Sequence, residues 1–246
     1  MMAEVLVILP TYNERDSIPS LVEGIFAHSP SAHVVIVDDG SPDGTGDVAD
    51  TLAGADKRTH VIHRPGKLGL GSAWAAGFRY GLTRSYEYFV QMDADLSHDP
   101  SDLPRLLARA QKGTDFVIGS RLTPGSRTEK RKLHRRALSH IGNAYARSLL
   151  NVPAYDLTTG YRCLRRKTLE MLNLDALQAS GYLFLIETAY LLSRQGCSIE
   201  EVPILFVDRK FGKSKFVATE AAKTIGFVWR LRRMQRVMPA KAGIQS

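Results

Sequence analysis

The sequence predicts an α/β protein with a mostly parallel central sheet covered by helices. Two observations predict it. Short apolar runs of strand length alternate with segments of helical periodicity from Val5 to Gly119, the pattern of a doubly covered parallel sheet. Carboxylates also gather where the runs end: Glu14 after the first, Asp38-Asp39 after the second, and Asp93-Ala94-Asp95 after the fourth.

The first run, Val5 to Leu9, stops at Pro10, and Ile18, Leu21, Val22, Ile25 and Phe26 then recur at helical spacing. His33 to Val37 forms a second strand, closed by the turn-forming Asp38-Asp39-Gly40-Ser41-Pro42-Asp43-Gly44 before another helix. His60 to His63 reads as a third strand, and Gly69-Leu70-Gly71 opens a helix through Tyr80. A strand over Tyr86 to Met92, a helix from Pro100-Ser101 to Ala110 and a strand over Asp115 to Gly119 continue the alternation.

Beyond Arg121 the pattern gives way to a polar, basic stretch from Thr123 to Arg136 and a helical segment to Leu150, read as an arm beside the sheet. A helix near Tyr182 to Arg194, a strand near Ile199 to Val207, a basic loop from Asp208 to Lys215 and an amphipathic helix to about Val237 follow. The expected organisation is a catalytic domain over 1–215, including the arm at about 123–150, an interfacial helix over 216–237, and a frayed tail over 238–246.

A chain of 246 residues can bury a full core, and 44% hydrophobic with 24% charged residues is ordinary for a globular protein. Cys163 and Cys197 fit no metal-ligand spacing and read as reduced packing residues of a cytoplasmic protein. The start of the chain lacks the flanks of a secretory signal. No stretch reaches the ~20 apolar residues that a membrane span requires, since Lys223 and Arg230 interrupt the C-terminal one. The net charge of +8 suits an anionic partner: nucleic acid, an anionic membrane surface or a phosphorylated small molecule.

Asp93-Ala94-Asp95 at a strand end offers two carboxylates to a hard cation. Mg²⁺ or Mn²⁺ there would offset charge on a diphosphate leaving group. Glu14 and Asp39, at neighbouring strand ends, are placed to accept hydrogen bonds from a base and a ribose, and Tyr12 offers a stacking face. Taken singly, Asp39 reads equally as turn chemistry and Glu14 as charge at a helix N-terminus.

Pro10-Thr11-Tyr12-Asn13-Glu14, Val37-Asp38-Asp39-Gly40-Ser41-Pro42-Asp43-Gly44-Thr45 and Asp93-Ala94-Asp95-Leu96-Ser97-His98 occur in order, and with them the chain resembles the family 2 glycosyltransferases of the GT-A fold. Arg64-Pro65-Gly66-Lys67-Leu68-Gly69-Leu70-Gly71, Gly119-Ser120-Arg121, Thr159-Gly160-Tyr161-Arg162 and Val202 through Lys215 narrow the resemblance to the dolichol-phosphate mannosyltransferase type. It implies a nucleotide-sugar donor, GDP-mannose, and a dolichyl or polyprenyl phosphate acceptor. It implies donor contacts at Pro10, Tyr12, Glu14, Val37, Asp39, Asp93, Ala94, Asp95, Arg121, Arg209 and Lys215. Asp95 and Arg121 would be catalytic, and Asp93, Asp95 and Ser97 would address the metal, Ser97 standing where some relatives carry glutamine.

Arg121, Arg209 and Lys215 also make chemical sense alone, as cations for a diphosphate whose charge grows as the bond breaks. The basic arm suits a lipid phosphate, and alignment of Leu138-Ser139 and Gly142-Asn143 with the family pattern implies Arg135 and Ser139 as the acceptor-phosphate residues. An acceptor that is already anionic requires no strong base, so His98 and His134 are expected to be structural.

In the last helix, Phe216, Val217, Ile225, Val228 and Leu231 lie among Lys223, Arg230, Arg232, Arg233 and Arg236. That pattern serves either an anionic membrane interface or packing on the body. The expected location is the cytoplasmic face of a membrane, with a small membrane subunit as a further partner. Two rival readings stand beside this one. One is a polyprenyl-phosphate glucosyltransferase using UDP-glucose. The other is a nucleic-acid-binding module, which leaves the three acidic strand ends unexplained.

Overall fold

Along β1 (Val5–Thr11), Leu6 and Ile8 enter one apolar cluster while Val5, Val7 and Leu9 enter another. In β2 (His33–Asp38), Val35 and Val37 join the first and Val34 and Ile36 the second. Successive side chains on a strand point to opposite faces, so strands apolar at every position must be covered on both sides. The computed structural model describes residues 4–129, 133–177, 179, 181–208 and 218–234, without the side chains of 133–135, 218–223 and 234.

The chain continues through α1 (Ile18–His28), α2 (Thr45–Ala55), β3 (Thr59–His63), α3 (Leu70–Leu82), β4 (Tyr88–Gln91), α4 (Leu103–Gln111) and β5 (Phe116–Ser120). Then come β6 (Arg127–Glu129), α5 (Leu133–Leu150), β7 (Arg162–Arg165), α6 (Arg166–Glu170), α7 (Leu183–Arg194), β8 (Ile199–Pro203), β9 (Leu205–Val207) and α8 (Ala218–Met234). Seven strands form one sheet in the order β3-β2-β1-β4-β7-β5-β8. All neighbours are parallel except β7, which runs antiparallel to β4 and β5.

The sequence pattern does not announce β7: it is four residues long and carries arginine at each end. The strand expected over Ile199 to Val207 is two strands broken at Ile204. The second, β9, leaves the main sheet to pair in parallel with β6 in the arm. Pro203 lacks an N–H for a continued ladder, and Asp102 Oδ2 accepts the Leu205 N–H at 2.9 Å, turning the chain away.

Helix α3 lies very close to the sheet because glycines line its contact face. A Cβ on Gly77 would stand 2.3 Å from Ile8 Cγ2, and one on Gly81 2.3 Å from Phe89 Cε1. Helix α8 is fastened to the same core by Phe227, Val228 and Leu231, and Tyr182 and Thr224 share a 2.6 Å hydroxyl hydrogen bond. Its Ile225 and Trp229 point outward.

Gly77→Ala should destabilise the protein by about 1–3 kcal/mol despite alanine's better helix propensity, because the added methyl overpacks β1. Urea denaturation measures this, and an unchanged midpoint would show that α3 does not set the sheet spacing.

Candidate active site

The parallel strands β1, β2, β4 and β5 end on one edge of the sheet, with Pro10 beside Val37 and Thr11 beside Asp38. The loops that follow β1 and β2 are stitched together. The backbone N–H groups of Asn13, Glu14 and Arg15 donate to Ser41 Oγ at 3.1 Å, Thr45 Oγ1 at 3.0 Å and Asp43 Oδ2 at 3.3 Å. Asn13 takes a positive φ of 62° there, a conformation asparagine tolerates. Asp38 accepts from Thr11 Oγ1 at 3.0 Å, Ser41 N at 3.0 Å and Ser41 Oγ at 2.5 Å, so it belongs to the scaffold.

Asp39 is buried and engaged on both oxygens, by Arg64 Nη1 at 2.6 Å and the Gly69 N–H at 3.1 Å. It therefore holds the loop before α3 against the end of β2, and a ligand reaching it must share or displace these donors. The Lys67 ammonium lies 3.8 Å over the Tyr12 ring, a cation–π contact covering one ring face. Glu14 accepts from Ser17 Oγ at 3.0 Å through Oε2, while its carbonyl receives the Ser17 and Ile18 N–H groups at the start of α1.

After β4 the chain makes a tight turn, with Leu96 at a φ of 61°. Asp95 Oδ1 accepts the Ser97 N–H at 3.1 Å. Ser97 itself is buried, and its carbonyl receives the Val207 N–H from β9. His98 Nδ1 accepts the Asp93 N–H at 3.1 Å, which puts the proton of a neutral ring on Nε2, 3.8 Å from Asp93 Oδ2. The ring is buried, stacks on Tyr161 at 5.1 Å and meets Phe206 edge-on. Burial lowers its pKa against the opposing pull of Asp93 and Asp95.

Gly160 closes the turn from the other side. A Cβ there would lie 2.6 Å from Asp93 Oδ1, so only glycine leaves the carboxylate in place. Among the described residues no group of three His, Cys, Asp or Glu side chains could hold a metal ion. A two-carboxylate site suits a hard cation that takes its remaining oxygens from water or a ligand phosphate.

Arg121, just past β5, is nearly buried against a fully buried Asp156. The pair is bidentate, with Nε and Nη2 each 2.7 Å from a carboxylate oxygen, and the Arg121 backbone N–H adds a third bond at 3.0 Å. Burial alone would raise the Asp156 pKa, but the Arg121 charge and hydrogen bonds outweigh it and bring the carboxyl down to about 2. Burial likewise opposes the charge on Arg121, and the Asp156 carboxylate more than offsets it, so that pKa is raised. Glu201 on β8 holds the loop by accepting the Tyr155 and Asp156 N–H groups at 2.7 and 2.9 Å.

The structure thus brings Pro10, Tyr12, Glu14, Val37, Asp39, Asp93, Ala94, Asp95, Ser97 and Arg121 to one sheet edge. Ser139 sits partly buried on α5; the Arg135 side chain, Arg209, Lys215, the His134 side chain and the tail over 238–246 lie outside the described residues. Sequence reasoning missed Asp156, Thr158 and Glu201, and gave Arg64, Lys67 and Gly160 no role beyond the family motif. The signal available for Asp156 was a carboxylate inside the run Tyr155 to Gly160, just before a quoted motif.

An edge of this kind, with a carboxylate pair, a paired arginine and stitched loops beyond the ends of parallel strands, is where an α/β enzyme takes up its ligand. Residues 6–172 match glycosyl transferase family 2, and the chain belongs to that family. It is a glycosyltransferase.

Polyprenol monophosphomannose synthase of Mycolicibacterium smegmatis is 48% identical over 211 residues, covering 85% of this chain and 80% of that protein. Undecaprenyl-phosphate mannosyltransferase of Micrococcus luteus is 47% identical over 211 residues, 86% of each. Among solved structures, glucosyl-3-phosphoglycerate synthase from Mycobacterium tuberculosis, in complex with Mn²⁺, uridine diphosphate and phosphoglyceric acid, shares the fold. Its TM-score is 0.70 at 18% identity, over 93% of this chain and 78% of that one.

The depressed Asp156 pKa carries a stability consequence with a definite sign. Stability from this group is present above the unfolded value of ~4 and is lost as pH falls toward the folded value, by about 2–3 kcal/mol in all. Asp156→Asn should flatten that part of the acid profile and cost about 3–5 kcal/mol near neutral pH, because Arg121 stays buried without its counter-charge. Urea titrations across the acid range check both; unaltered stability near neutrality would refute the pairing.

Proposed function

We propose that this glycosyltransferase moves mannose from GDP-mannose to a polyprenyl or dolichyl phosphate. What supports the reading above all is the near-half identity, over most of the chain, to two proteins named for mannosyl transfer to polyprenyl phosphates. On this reading Pro10, Tyr12, Glu14, Val37, Asp39 and Ala94 contact the nucleotide, and Arg209 and Lys215 are donor-binding cations.

Asp93 and Asp95 would hold a divalent cation, Mg²⁺ or Mn²⁺, with Ser97 adding its hydroxyl directly or through a water. The space that Gly160 leaves for Asp93 fits this role. When bound, the cation offsets diphosphate charge. Arg121 supplies a preorganised positive charge at the same edge, its fork already oriented by Asp156.

The acceptor phosphate, held by Arg135 and Ser139 of the arm, attacks the anomeric carbon through an anionic oxygen. The carbon–oxygen bond to the diphosphate breaks with its electron pair leaving on GDP. No proton leaves the nucleophile, so no general base is required. A single displacement inverts the centre and yields a β-linked lipid phosphate mannose from an α-linked donor.

No helix among the described residues is long and apolar enough to cross a membrane. Contact with the lipid surface falls instead to the outer side of α8, where Ile225 and Trp229 are about half exposed and Arg230 and Arg233 flank Trp229. Ile141 of α5 adds a further exposed apolar residue.

Purified protein with Mg²⁺ or Mn²⁺, a short-chain polyprenyl phosphate and labelled GDP-mannose should form lipid-linked mannose, while UDP-glucose should not serve. Chelator and Asp95→Ala should each abolish transfer. Transfer from UDP-glucose alone would overturn the mannose assignment and keep the mechanism. Gly160→Ala should fold but require about ten- to a hundred-fold more metal for half-maximal rate, the scale on which metal affinity falls when a ligand's support is disturbed; an unchanged metal requirement would remove Asp93 from the metal site.

A further inference from the structure

Asn143 sits in the middle of α5, 1% exposed, in a position where asparagine is a poor helix former. Its side chain is fully used. Nδ2 donates to Ser139 O at 2.9 Å and to Thr158 Oγ1 at 3.1 Å, and Oδ1 accepts the Leu157 N–H at 2.7 Å. The orientation is fixed by chemistry, since the reversed amide would set its NH₂ against the Leu157 N–H.

The Thr158 hydroxyl is just as fully committed. It accepts from Asn143 and from Arg121 Nη2 at 2.9 Å, and its proton points to Asp156 Oδ1 at 3.3 Å. One uninterrupted polar chain therefore runs from the α5 backbone at Ser139 through Asn143 and Thr158 to Arg121. The loop it grips, residues 156–160, begins at the carboxylate that orients Arg121 and ends at the glycine packed on Asp93. Positions 135, 139 and 143 recur at four-residue spacing and so share one face of α5.

We propose that Asn143 is a positioning residue that sets the acceptor face of α5 against Arg121, so that use of the lipid phosphate, and not binding of the nucleotide, depends on it. The proposal rests on the reading of α5 as the acceptor helix. Asn143 touches no reacting group in this scheme; it acts by fastening α5 to the loop at Leu157 and Thr158.

Asn143→Asp tests it with little change of shape. The variant keeps the acceptor for the Leu157 N–H but loses both donors and sets a carboxylate against Thr158, whose proton is already turned to Asp156. The KM for a short-chain polyprenyl phosphate should rise about tenfold, the scale of a lost buried hydrogen bond, while GDP affinity by calorimetry stays within about twofold. Thr158→Val should reproduce the effect and Thr158→Ser should restore wild-type behaviour, which a packing role alone would not do.

An acceptor KM that is unchanged in folded Asn143→Asp, or a GDP affinity that falls as far as the acceptor's, overturns the proposal. Should Asn143→Asp fold too poorly to assay, Thr158→Val against Thr158→Ser decides by the same two readouts. Wild-type protein that transfers no sugar to the lipid phosphate from any donor defeats the underlying functional reading instead, and is seen before any variant is compared.

Discussion

The Arg121–Asp156 ion pair sets the terms for one side of the site. Removing two charges from water costs several kcal/mol per ion, recovered only where geometry is good and the remaining polar atoms are satisfied. Here the carboxylate takes a bidentate guanidinium and two backbone N–H groups, and Glu201 pins the loop that carries it. Those requirements fix the path of residues 155–160, and with it the placement of Gly160 against Asp93. The arginine presented at the end of β5 and the carboxylate presented at the end of β4 are thus set by one loop.

A second buried guanidinium reinforces that loop by a different route. Arg162 is fully buried and held by the carbonyls of Leu157, Thr159 and Leu185 together with the Thr188 hydroxyl. Without a carboxylate bonded to it, burial brings its pKa down to about 9, offset in part by the more distant Asp156 and Asp93. Two of its four bonds go to residues 157 and 159, so it fastens the loop from beneath to the start of α7. The edge beyond β1 and β2 is organised separately, by the stitching of their loops and by the Asp39–Arg64 pair. The two sides meet at the Asp93 turn.

Features carried by neighbouring residues were open to reading from sequence. The apolar runs of β1 and β2 show both that they are strands and that both faces are covered, and Asp93-Ala94-Asp95 announces itself because its two carboxylates are one residue apart in the chain. What escaped depends on partners distant in sequence. Asp156 is 35 residues from Arg121, and its place just before a motif does not show that it pairs with an arginine. Strand β7 escaped because it is short and borrows its ladder from β4 and β5, while the single apolar stripe read in the last helix divides in space. Of its residues, Val228 and Leu231 turn to the core beside Phe227, Ile225 turns away beside Trp229, and Phe216 and Val217 lie outside the described residues. Periodicity marks a face as apolar without saying which neighbour covers it.

The division of labour follows from the chemistry of the two substrates in the proposed reaction. A diphosphate leaving group gains charge as its bond breaks, so its site needs fixed positive charge and hard oxygen ligands at a rigid edge, and the stitched loops provide rigidity before any ligand arrives. A lipid phosphate brings its own negative oxygens and needs no base; what it needs is direction, because an anion approaching a diphosphate is repelled unless cations lie between them. In the proposed scheme Arg121 stands at that boundary, its fork held by Asp156 and tied through Thr158 and Asn143 to α5. A guanidinium held this way cannot swing toward either substrate, so the geometry of attack is set by how α5 is seated on the loop and not by the flexibility of a long side chain.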